Sequence, residues 1–457
     1  MPAMMEIRSP YDGSVVGSLP VDGPSGVDKK LEAAGVAFAR WRETSIADRK
    51  RIVEEGLSRF LDESAQAARD ISLQMGKPLA QARKEVETML DRARWAIDAA
   101  EESLATEIVP ETDGLTRRIE HVPLGIVLDI AAWNYPLLVP VNVIVPALLA
   151  GNVVVLKHSS RTPLTGQAFA RAFGALEVPD LLVAMNVTRD AANRLIDDSR
   201  VAHVSFTGSV GGGRAVYRRA AERLIDVGLE LGGKDPAYVA ADADLDVAVE
   251  GVVDGACYNA GQSCCGIERV YVHRSVYPEF VDRARKLVEA YRLGDPLDDA
   301  TTMGPLCMRS ALDGLEAQVA DARGRGAEVL VGGARVADLP GSFFAPTLVV
   351  DVPNDASLMQ EESFAPIVPV QVVDDDRQAL ERMEDTRFGL TASVWTRDRE
   401  RAERLAQQLH AGTVFQNRCD FVDPALPWSG MRESGIGATL SRHGFLALTR
   451  TRALHFR

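Results

Sequence analysis

The feature that most constrains the fold is a regular alternation of short apolar runs and helical patterns between residues 116 and 240. The apolar runs have the length of buried strands and lie at 126–131, 153–156, 181–186, 204–206 and 237–239. Helical patterns at 191–198 and 214–227 are among the segments between them. Alternating strands and helices form βαβ units, which build a parallel sheet sheltered on both faces. Because the alternation resumes after about residue 250, the sequence predicts two α/β domains in succession.

The first hundred residues are predicted to be mainly helical after a short initial strand. Apolar side chains recur on one face of a helix at Val27, Leu31, Ala34, Phe38 and Trp41. Ser45 and Asp48 have the spacing of a capping box, in which the first side chain accepts a hydrogen bond from the backbone three residues on. A second helix is therefore expected to begin directly after Ser45.

The net charge argues against two classes of partner. The chain of 457 residues carries 51 basic and 65 acidic side chains, a formal net charge of −14. An acidic surface repels phosphate backbones and anionic lipid, so nucleic-acid and membrane-surface roles are disfavoured. The uncharged stretch 130–156 is long enough for a membrane span, but three prolines and three asparagines interrupt it. We expect this stretch to be the buried core of a soluble protein.

The five cysteines are an odd number in a long chain, which is not the pattern of a disulfide framework. A reducing compartment fits this usage, and the N-terminal residues lack the basic and apolar regions of a secretory signal. The expected location is therefore the cytoplasm. A zinc site is not expected around the clustered cysteines 257, 264 and 265, because no Cys-x2-Cys pair and no histidine between His203 and His273 accompany them.

Cys264 is the sharpest candidate for chemistry. It follows Asn259-Ala-Gly-Gln-Ser, where a helical pattern ends at a glycine. A thiol near backbone donors or a helix N-terminus has a lowered pKa, and the thiolate is the reactive form. Free cysteine is also among the most buried residue types, so inert packing is the alternative. Taken by itself, this segment favours packing.

Polar groups at the ends of three apolar runs are further candidates. Glu230 lies among leucines before two glycines, a setting that raises a carboxyl pKa and suits a general base. Asn134 follows the run 126–131, where its amide would be placed to donate to a developing oxyanion. Lys157 closes another run and would face a ribose or a phosphate. The alternatives are an ordinary strand-end glutamate and a turn asparagine before proline.

A glycine-rich loop at 204–213 joins a strand to a helix. Its backbone N–H groups and the helix N-terminus would suit a phosphate. The loop matches neither Gly-x-Gly-x-x-Gly nor the P-loop, because Gly213 is followed by Arg214 and Ala215 rather than by Lys and Ser or Thr. A tight turn without a ligand is the alternative.

Together and in this order, the segments resemble the aldehyde dehydrogenase superfamily. The resemblance runs from Ser9-Pro-Tyr-Asp-Gly-Ser near the start to Leu448-Thr-Arg-Thr, almost the whole chain. Its landmarks are Pro123-Leu-Gly-Ile-Val, Trp133-Asn-Tyr-Pro, Leu156-Lys, Phe206-Thr-Gly-Ser, Leu229-Glu-Leu-Gly-Gly-Lys, Gly261-Gln-Ser-Cys, Gly304-Pro-Leu, Glu362-Ser-Phe-Ala-Pro, Phe388-Gly-Leu-Thr-Ala and Pro427-Trp-Ser-Gly. So many motifs in the family's order would not arise by chance.

The resemblance implies an α/β fold of three parts. A Rossmann-like NAD(P)-binding domain is expected at 1–103 and 123–232, and a catalytic α/β domain at 233–433. Small strands at 104–122 and 434–457 would join subunits into a homodimer or homotetramer.

The resemblance also implies roles for single residues. Cys264 resembles the nucleophile, and Cys265 its non-catalytic neighbour. Glu230 resembles the base, and the Asn134 side chain with the Cys264 N–H the oxyanion hole. The expected cofactor contacts are Trp133, Lys157, Ser160, Gly208, Ser209, Gly213, Glu362 and Phe364, with Glu362 on the ribose beside the nicotinamide. The expected substrate pocket is formed by Leu138, Asn142, Tyr258, Ser263, Asp420, Phe421 and Trp428; no metal is expected.

The implied reaction oxidises an aldehyde to a carboxylic acid with NAD(P)+. Cys264 forms a thiohemiacetal and then a thioester, which water activated by Glu230 hydrolyses. An acidic base at 230 argues against a CoA-acylating relative. The intact set of residues argues against a non-enzymatic protein that kept the fold. Both remain alternatives.

Departures from the family pattern bear on cofactor and substrate. Ser160 stands where NAD-preferring members have a glutamate that repels a 2′-phosphate, so NADP+ is expected to be accepted alongside NAD+. A Lys-His variant at 157–158 also occurs in a bacterial branch of semialdehyde dehydrogenases that can use NAD+. Asn142 stands where some semialdehyde-oxidising relatives have arginine, and Asp420 disfavours an anionic aldehyde. A neutral aliphatic or aromatic aldehyde is therefore favoured; a semialdehyde, with its carboxylate held by Arg418, is the alternative.

Overall fold

Two large sheets, each packed against helices, organise the chain. The structure, a computed structural model, describes residues 3–457; Met1 and Pro2, and with them the expected start of the cofactor domain, lie outside the described residues. The strands are β1 (Met4–Arg8), β2 (Val15–Pro20), β3 (Glu107–Thr112), β4 (Leu115–Pro123), β5 (Ile126–Ile130), β6 (Val153–Lys157), β7 (Leu182–Ala184), β8 (Val201–Thr207), β9 (Asp226–Glu230), β10 (Asp235–Val239), β11 (Ile267–His273), β12 (Glu328–Val331), β13 (Thr347–Val350), β14 (Ile367–Val373), β15 (Thr391–Trp395), β16 (Thr413–Gln416), β17 (Gly435–Ile436) and β18 (Thr449–Phe456). The α-helices are α1 (Pro24–Trp41), α2 (Ile46–Asp62), α3 (Ser64–Met75), α4 (Leu79–Ser103), α5 (Leu138–Leu149), α6 (Pro163–Gly174), α7 (Arg189–Asp197), α8 (Val210–Glu222), α9 (Leu245–Cys257), α10 (Tyr277–Glu289), α11 (Ala311–Gly324), α12 (Ser357–Gln360), α13 (Asp376–Glu384), α14 (Arg399–Ala406) and α15 (Ser441–Ala447).

The first sheet confirms the predicted parallel arrangement. Its strands lie in the order β17–β9–β8–β5–β6–β7; β5 to β9 run parallel, and β17 pairs antiparallel with β9. The predicted apolar runs coincide with β5, β6 and β8, because strands covered on both faces need apolar side chains on both faces. The chain passes from β5 to β6 on one side and later to β8 on the other, so a crevice is expected at the carboxyl ends of β5 and β8.

The β9 strand corrects the sequence prediction of a helix over 214–227. The helix α8 ends at Glu222, Leu224 takes a left-handed conformation with φ 55°, and β9 begins at Asp226. The strand is only partly buried and lies beside the two-residue edge strand β17, so it has few apolar residues and the sequence marked only its end at Glu230. Its last residue is Glu230, which places this candidate base at a strand end.

The second sheet forms another α/β unit, as predicted. Its strands lie in the order β12–β13–β14–β11–β10–β15–β16, and every pairing except that of β12 with β13 is parallel. Between α9 and β11 the chain forms a 3-10 turn at Tyr258–Gly261 and then carries Cys264. The loop that contains the candidate nucleophile therefore leads directly into a central strand of this sheet.

A three-stranded antiparallel sheet extends from these two units. Its order is β18–β4–β3, and β18 pairs with β4 along its whole length. Ile108 and Phe456 on this sheet are more than half exposed. The segment 434–457 thus contributes β17 to the first sheet and β18 to the three-stranded one.

The uncharged stretch 130–156 is buried core, as predicted. Every residue of α5 from Pro140 to Leu149 is buried, and Trp41 Nε1 donates to the carbonyl of Leu148 at 2.8 Å. The predicted capping box is also confirmed, because Ser45 Oγ accepts the Asp48 N–H at 3.1 Å. Within residues 3–457, no helix is both long enough and apolar enough to cross a membrane.

Candidate active site

A cavity of about 300 Å³ lies where the two large units meet. The lining residues include Arg92, Leu138, Asn142, Glu230, Tyr258, Cys264, Asp420, Phe421 and Trp428. All but one of the expected pocket residues therefore line one cavity together with the candidate nucleophile and base. The exception, Ser263, is buried and reaches the cavity through Asp420, to which its hydroxyl donates at 3.2 Å.

A left-handed turn presents the Cys264 thiol. Asn259, Ala260 and Gly261 have φ values of 54°, 54° and 70° in succession. At Gly261 a Cβ atom would lie 2.2 Å from the backbone of Ala365, so only glycine fits there. Cys264 itself is half-buried, whereas its neighbour Cys265 is fully buried. The hydrogen bond with Cys264, followed by burial, raises the pKa of the Cys265 thiol, which makes it a poor nucleophile.

The Asn134 amide is attached to the loop that carries Cys264. Asn134 follows β5 and is buried, and its Nδ2 donates to the carbonyl of Gln262 at 3.2 Å. The carbonyl of Asn134 in turn accepts a hydrogen bond from Asn259 Nδ2 at 3.0 Å. One hydrogen bond to Gln262 uses one of the two amide hydrogens, so the other is available to a substrate oxygen. The structure therefore brings the two expected oxyanion groups to one place.

The Glu230 carboxyl is held by a hydroxyl that the sequence did not reveal. Burial raises the pKa of Glu230, and the hydrogen bond from Thr439 is the largest effect that lowers it. Thr439 Oγ1 donates to Glu230 Oε1 at 2.5 Å. Two backbone hydrogen bonds with Trp428, each 2.9 Å, fix the position of Thr439. A carboxyl group whose pKa is raised by burial suits a general base near neutral pH.

A buried arginine changes the charge of the pocket. Arg92 on α4 is 9% exposed, and its Nη1 donates to Asn142 Oδ1 at 3.3 Å. Its buried Nε has no hydrogen-bond partner within residues 3–457. Sequence reasoning missed Arg92 because its neighbours Asp91 and Arg94 are charged and exposed, so nothing local marks it as buried. Arg418, expected as an alternative cation, stacks instead on the Phe421 ring, 3.2 Å from the centroid.

The Asp420 carboxylate is partly neutralised by donors. It accepts hydrogen bonds from Cys265 Sγ at 2.8 Å and from Ser263 at 3.2 Å. Burial raises the pKa of Asp420 to about 6. Asp420 therefore lines the cavity with an acidic group, and its Oδ1 atom accepts both of these hydrogen bonds.

Backbone donors and a helix terminus lie at the carboxyl end of β8. The helix α8 begins after Ser209, whose Oγ accepts the Gly212 N–H at 3.2 Å. A Cβ at Gly208 would lie 2.8 Å from the Phe206 ring, and one at Gly213 would lie 2.5 Å from Leu231. Because both glycines are required by close packing, the loop can stay tight at the start of the helix. Such a terminus suits a phosphate.

Basic and polar side chains lie at and after the end of β6, on the same side of the sheet as the start of α8. Lys157 ends β6 and is half-buried, and burial lowers its pKa. The following His158 is buried with a ring nitrogen 2.9 Å from the Pro136 carbonyl, and burial lowers its pKa to about 4. This neutral histidine joins the Lys157 loop to the Asn134 turn. Ser160 is exposed beside the exposed Arg161.

The expected nicotinamide contacts converge near Cys264. Trp133 and Phe364 form an edge-to-face pair with ring centroids 5.6 Å apart. Glu362 Oε1 accepts the Gly233 N–H at 3.0 Å, and burial raises the pKa of Glu362 to about 7. A Cβ at Gly233 would lie 2.3 Å from the Cys264 carbonyl, so the Gly233 backbone contacts both the Glu362 carboxylate and the loop that carries Cys264. Together with Lys157 and the α8 terminus, this donor set fits a dinucleotide. No group of three or more His, Cys, Asp or Glu side chains suited to a metal occurs in the described part of the chain.

Comparison with known proteins gives one consistent family. The sequence profile of the aldehyde dehydrogenase family matches residues 2–454. A succinate-semialdehyde dehydrogenase [NADP(+)] of Mycobacterium tuberculosis is 36% identical over 439 residues, which are 95% of this chain and 96% of the relative. A succinate semialdehyde dehydrogenase [NAD(P)+] of Escherichia coli is 33% identical over 95% of this chain and 94% of the relative. The structure of aldehyde dehydrogenase 21 of Physcomitrella patens, in complex with the reaction product succinate, superposes with a TM-score of 0.95 at 27% identity, covering 100% of this chain and 95% of that one.

Proposed function

This chain belongs to the aldehyde dehydrogenase family, and we propose that its substrate is an aldehyde with a carboxylate at the far end, a semialdehyde. Family membership makes it an oxidoreductase that acts on aldehydes with NAD(P). The observation that carries the substrate proposal is the Arg92 guanidinium, which faces the same cavity as Cys264 and has an unpartnered Nε.

The proposed roles follow from the positions of the groups. The Cys264 thiolate attacks the aldehyde carbon, and the free Asn134 amide hydrogen and the Cys264 N–H stabilise the oxyanion. When bound, the nicotinamide supplies the oxidation by accepting a hydride from the substrate. Glu230, with its pKa raised by burial, then deprotonates a water molecule that hydrolyses the thioester at Cys264. Thr439 keeps the Glu230 carboxylate at a fixed position during this step.

Charge in the pocket supports a carboxylate over a neutral tail. The sequence favoured a neutral aldehyde because Asn142 replaces an arginine, but Arg92 reaches Asn142 from another helix and supplies a cation there. The relatives named as succinate-semialdehyde dehydrogenases act on such a substrate. A neutral aliphatic or aromatic aldehyde is the second candidate, favoured by the Asp420 anion and by the apolar walls Phe421 and Trp428.

The test compares two aldehydes of equal length, succinate semialdehyde and butanal, with wild type and Arg92→Gln. A charged hydrogen bond is worth about 1.5–3 kcal/mol, so we expect kcat/KM for the semialdehyde to fall about 10–100-fold while that for butanal changes little. Arg94→Gln is the matched control, because Arg94 lies on the same helix and is 60% exposed. Equal losses with both aldehydes would overturn the role of Arg92, and a wild-type preference for butanal would favour the second candidate.

For the cofactor, we propose that NADP+ is accepted alongside NAD+. Ser160 carries no charge that would repel a 2′-phosphate, and Arg161 lies beside it. Arg189 is near enough for its charge to lower the pKa of Lys157, so the region is cationic. We expect Ser160→Glu to lower kcat/KM for NADP+ far more than that for NAD+. A large wild-type preference for NAD+ would refute the proposal.

We also propose the division into a cofactor domain at 1–103 and 123–232, a catalytic domain at 233–433 and oligomerisation strands at 104–122 and 434–457. The exposed apolar side chains Ile108 and Phe456 on the three-stranded sheet support an assembly through that sheet. Light scattering after size-exclusion chromatography should give the mass of a dimer or tetramer; a monomer would refute the assembly.

A further inference from the structure

In two ion pairs of the described chain, both partners are buried. Lys77 and Glu85 are 0% and 2% exposed, and Lys234 and Glu268 are 0% and 6% exposed. Each other ion pair within residues 3–457 has a partner that is at least one-fifth exposed. Burying both charges removes their hydration, and the attraction between them often does no more than offset that loss. The two pairs are therefore poor candidates for a purely stabilising role.

The first pair contacts the turn that carries Asn134. Lys77 lies between α3 and α4, and its Nζ donates to the carbonyl of Asn134 at 3.0 Å and to Glu85. The same ammonium group lies 4.1 Å from the centroid of the Tyr135 ring. Glu85 Oε1 accepts the Leu137 N–H at 2.8 Å, where the turn leads into α5. The pair thus holds both ends of the turn 134–137.

The second pair contacts the loop that carries Glu362 and Phe364. Glu268 Oε2 accepts the Ser363 N–H at 2.7 Å, and Oε1 accepts the Phe364 N–H at 2.8 Å. Lys234 Nζ donates to Glu268 at 2.6 Å and to Ser363 Oγ at 3.1 Å. Phe364 is in the left-handed region with φ 56°, a conformation that a non-glycine residue keeps only when its surroundings impose it. Two hydrogen bonds from consecutive N–H groups to one buried carboxylate impose it here.

We propose that the two buried ion pairs are positioning devices, Lys77–Glu85 for the oxyanion amide of Asn134 and Lys234–Glu268 for the loop that contacts the nicotinamide. This inference rests on the proposed function. The charged groups of the four residues bind other residues of the chain, and Lys77 and Glu85 also line the cavity that contains Cys264. We assign them a positioning role through these contacts and no part in the chemical steps. The charges suit these contacts because the Glu268 carboxylate accepts two backbone N–H groups through its two oxygens, whereas a glutamine has only one acceptor oxygen. The Lys77 ammonium group likewise joins the Asn134 carbonyl to Glu85.

Loss of each ion pair should have a different effect on two reactions of the enzyme. Acylation of Cys264 by an ester needs the thiolate and the oxyanion groups but no cofactor, whereas aldehyde oxidation needs both halves of the site. A displacement of about 1 Å in a positioning group can cost on the order of 100-fold in rate. Loss of the first pair should therefore impair both reactions, and loss of the second pair only the oxidation.

The experiment uses the double variants Lys77→Met/Glu85→Gln and Lys234→Met/Glu268→Gln, which leave no unpaired buried charge. Four quantities are measured: the Tm, hydrolysis of p-nitrophenyl acetate without cofactor, aldehyde oxidation, and the Kd of NADPH by fluorescence. Rates are expressed per Cys264 thiol titrated with iodoacetamide. Lys286→Met is the control, since the pair of Lys286 with Asp282 is exposed. If a double variant does not fold, the isosteric single replacements Glu85→Gln and Glu268→Gln take its place.

We expect Lys77→Met/Glu85→Gln to lower both ester hydrolysis and aldehyde oxidation by about 10–100-fold with an unchanged Kd for NADPH. We expect Lys234→Met/Glu268→Gln to leave ester hydrolysis unchanged, to weaken NADPH binding and to lower oxidation by about tenfold or more. Wild-type rates per titrated thiol, or equal losses of both reactions in the two variants, would overturn the inference. A wild type that oxidises no aldehyde would instead refute the proposed function, and ester hydrolysis and NADPH binding would still test the pairs.

Discussion

Replacing Thr439 with valine tests how the general base is tuned. Thr439 Oγ1 donates to Glu230 Oε1 at 2.5 Å. Burial raises the pKa of Glu230, and this hydrogen bond is the strongest of the effects that lower it. Valine keeps the shape of threonine and removes the donor. The two backbone hydrogen bonds between Thr439 and Trp428 do not depend on the side chain, so the loop should stay in place.

The size of the effect follows from the charge on Glu230. A hydrogen bond to a charged acceptor is worth about 1.5–3 kcal/mol, and one pKa unit corresponds to about 1.4 kcal/mol. Loss of the bond should therefore raise the pKa of Glu230 by about one to two units. Only the ionised carboxylate can deprotonate water, so thioester hydrolysis should lose its activity at a higher pH than in the wild type.

The assay is the pH profile of the steady-state kcat, measured beside the stopped-flow burst of NAD(P)H. We expect the acid limb of kcat to move up by about one to two units in Thr439→Val, and to stay in place in Thr439→Ser, which keeps the hydroxyl. The burst precedes hydrolysis and should keep its wild-type profile. An acid limb that coincides with the wild-type limb would refute this account of Glu230, as would an equal shift in the serine variant.

Three further predictions concern the base, the nucleophile turn and a buried histidine. Glu230→Gln should keep the burst of NAD(P)H but stall turnover, and an undiminished steady rate would contradict its role as base. Gly261→Ala should cost more than about 2 kcal/mol in urea unfolding, because φ is 70° and the Cβ would lie 2.2 Å from Ala365, while Gly314→Ala, which meets no atom, should cost nothing. Burial lowers the pKa of His203 from 6.5 to about 4, so the folded protein favours the neutral imidazole. The free energy of unfolding is therefore highest, with respect to this group, above pH 6.5, and it falls as the pH decreases from 6.5 toward 4. His203→Gln should reduce the loss of unfolding free energy between pH 7 and 4.5 by about 2–3 kcal/mol, and equal losses in both proteins would contradict this.

The strands that the sequence predicted share a physical property. The runs 153–156 and 237–239 are apolar at every position because β6 and β10 are covered on both faces. The sequence marked the end of β9 at Glu230 but missed its start, because the strand is only half-covered and the preceding helix was expected to extend across that start. Local composition therefore reveals the fully buried strands, the edge strand β7 among them, and conceals the extent of a half-covered strand.

The substrate pocket shows what the local sequence could not predict. Asn142 was expected to line it and lies in the same cavity as Cys264, yet the preference for a neutral aldehyde, drawn from its lack of charge, did not include Arg92. Arg92 lies 50 residues away in the sequence, on a helix with charged residues on its exposed face as well. Which of these side chains points into the cavity depends on how α4 packs against α5. That packing has no local sequence signal.

By itself, the sequence determined the alternation of strands and helices and the family, and it predicted Cys264, Glu230 and Asn134 as the reactive residues, because each of these features lies within a short segment. The tertiary structure alone decided what surrounds them. Thr439 reaches Glu230 across 209 residues, and Lys77 reaches Asn134 across 57. Such contacts join segments that have no common pattern in the sequence, and they form because folding removes water from the groups and brings distant partners within hydrogen-bond distance.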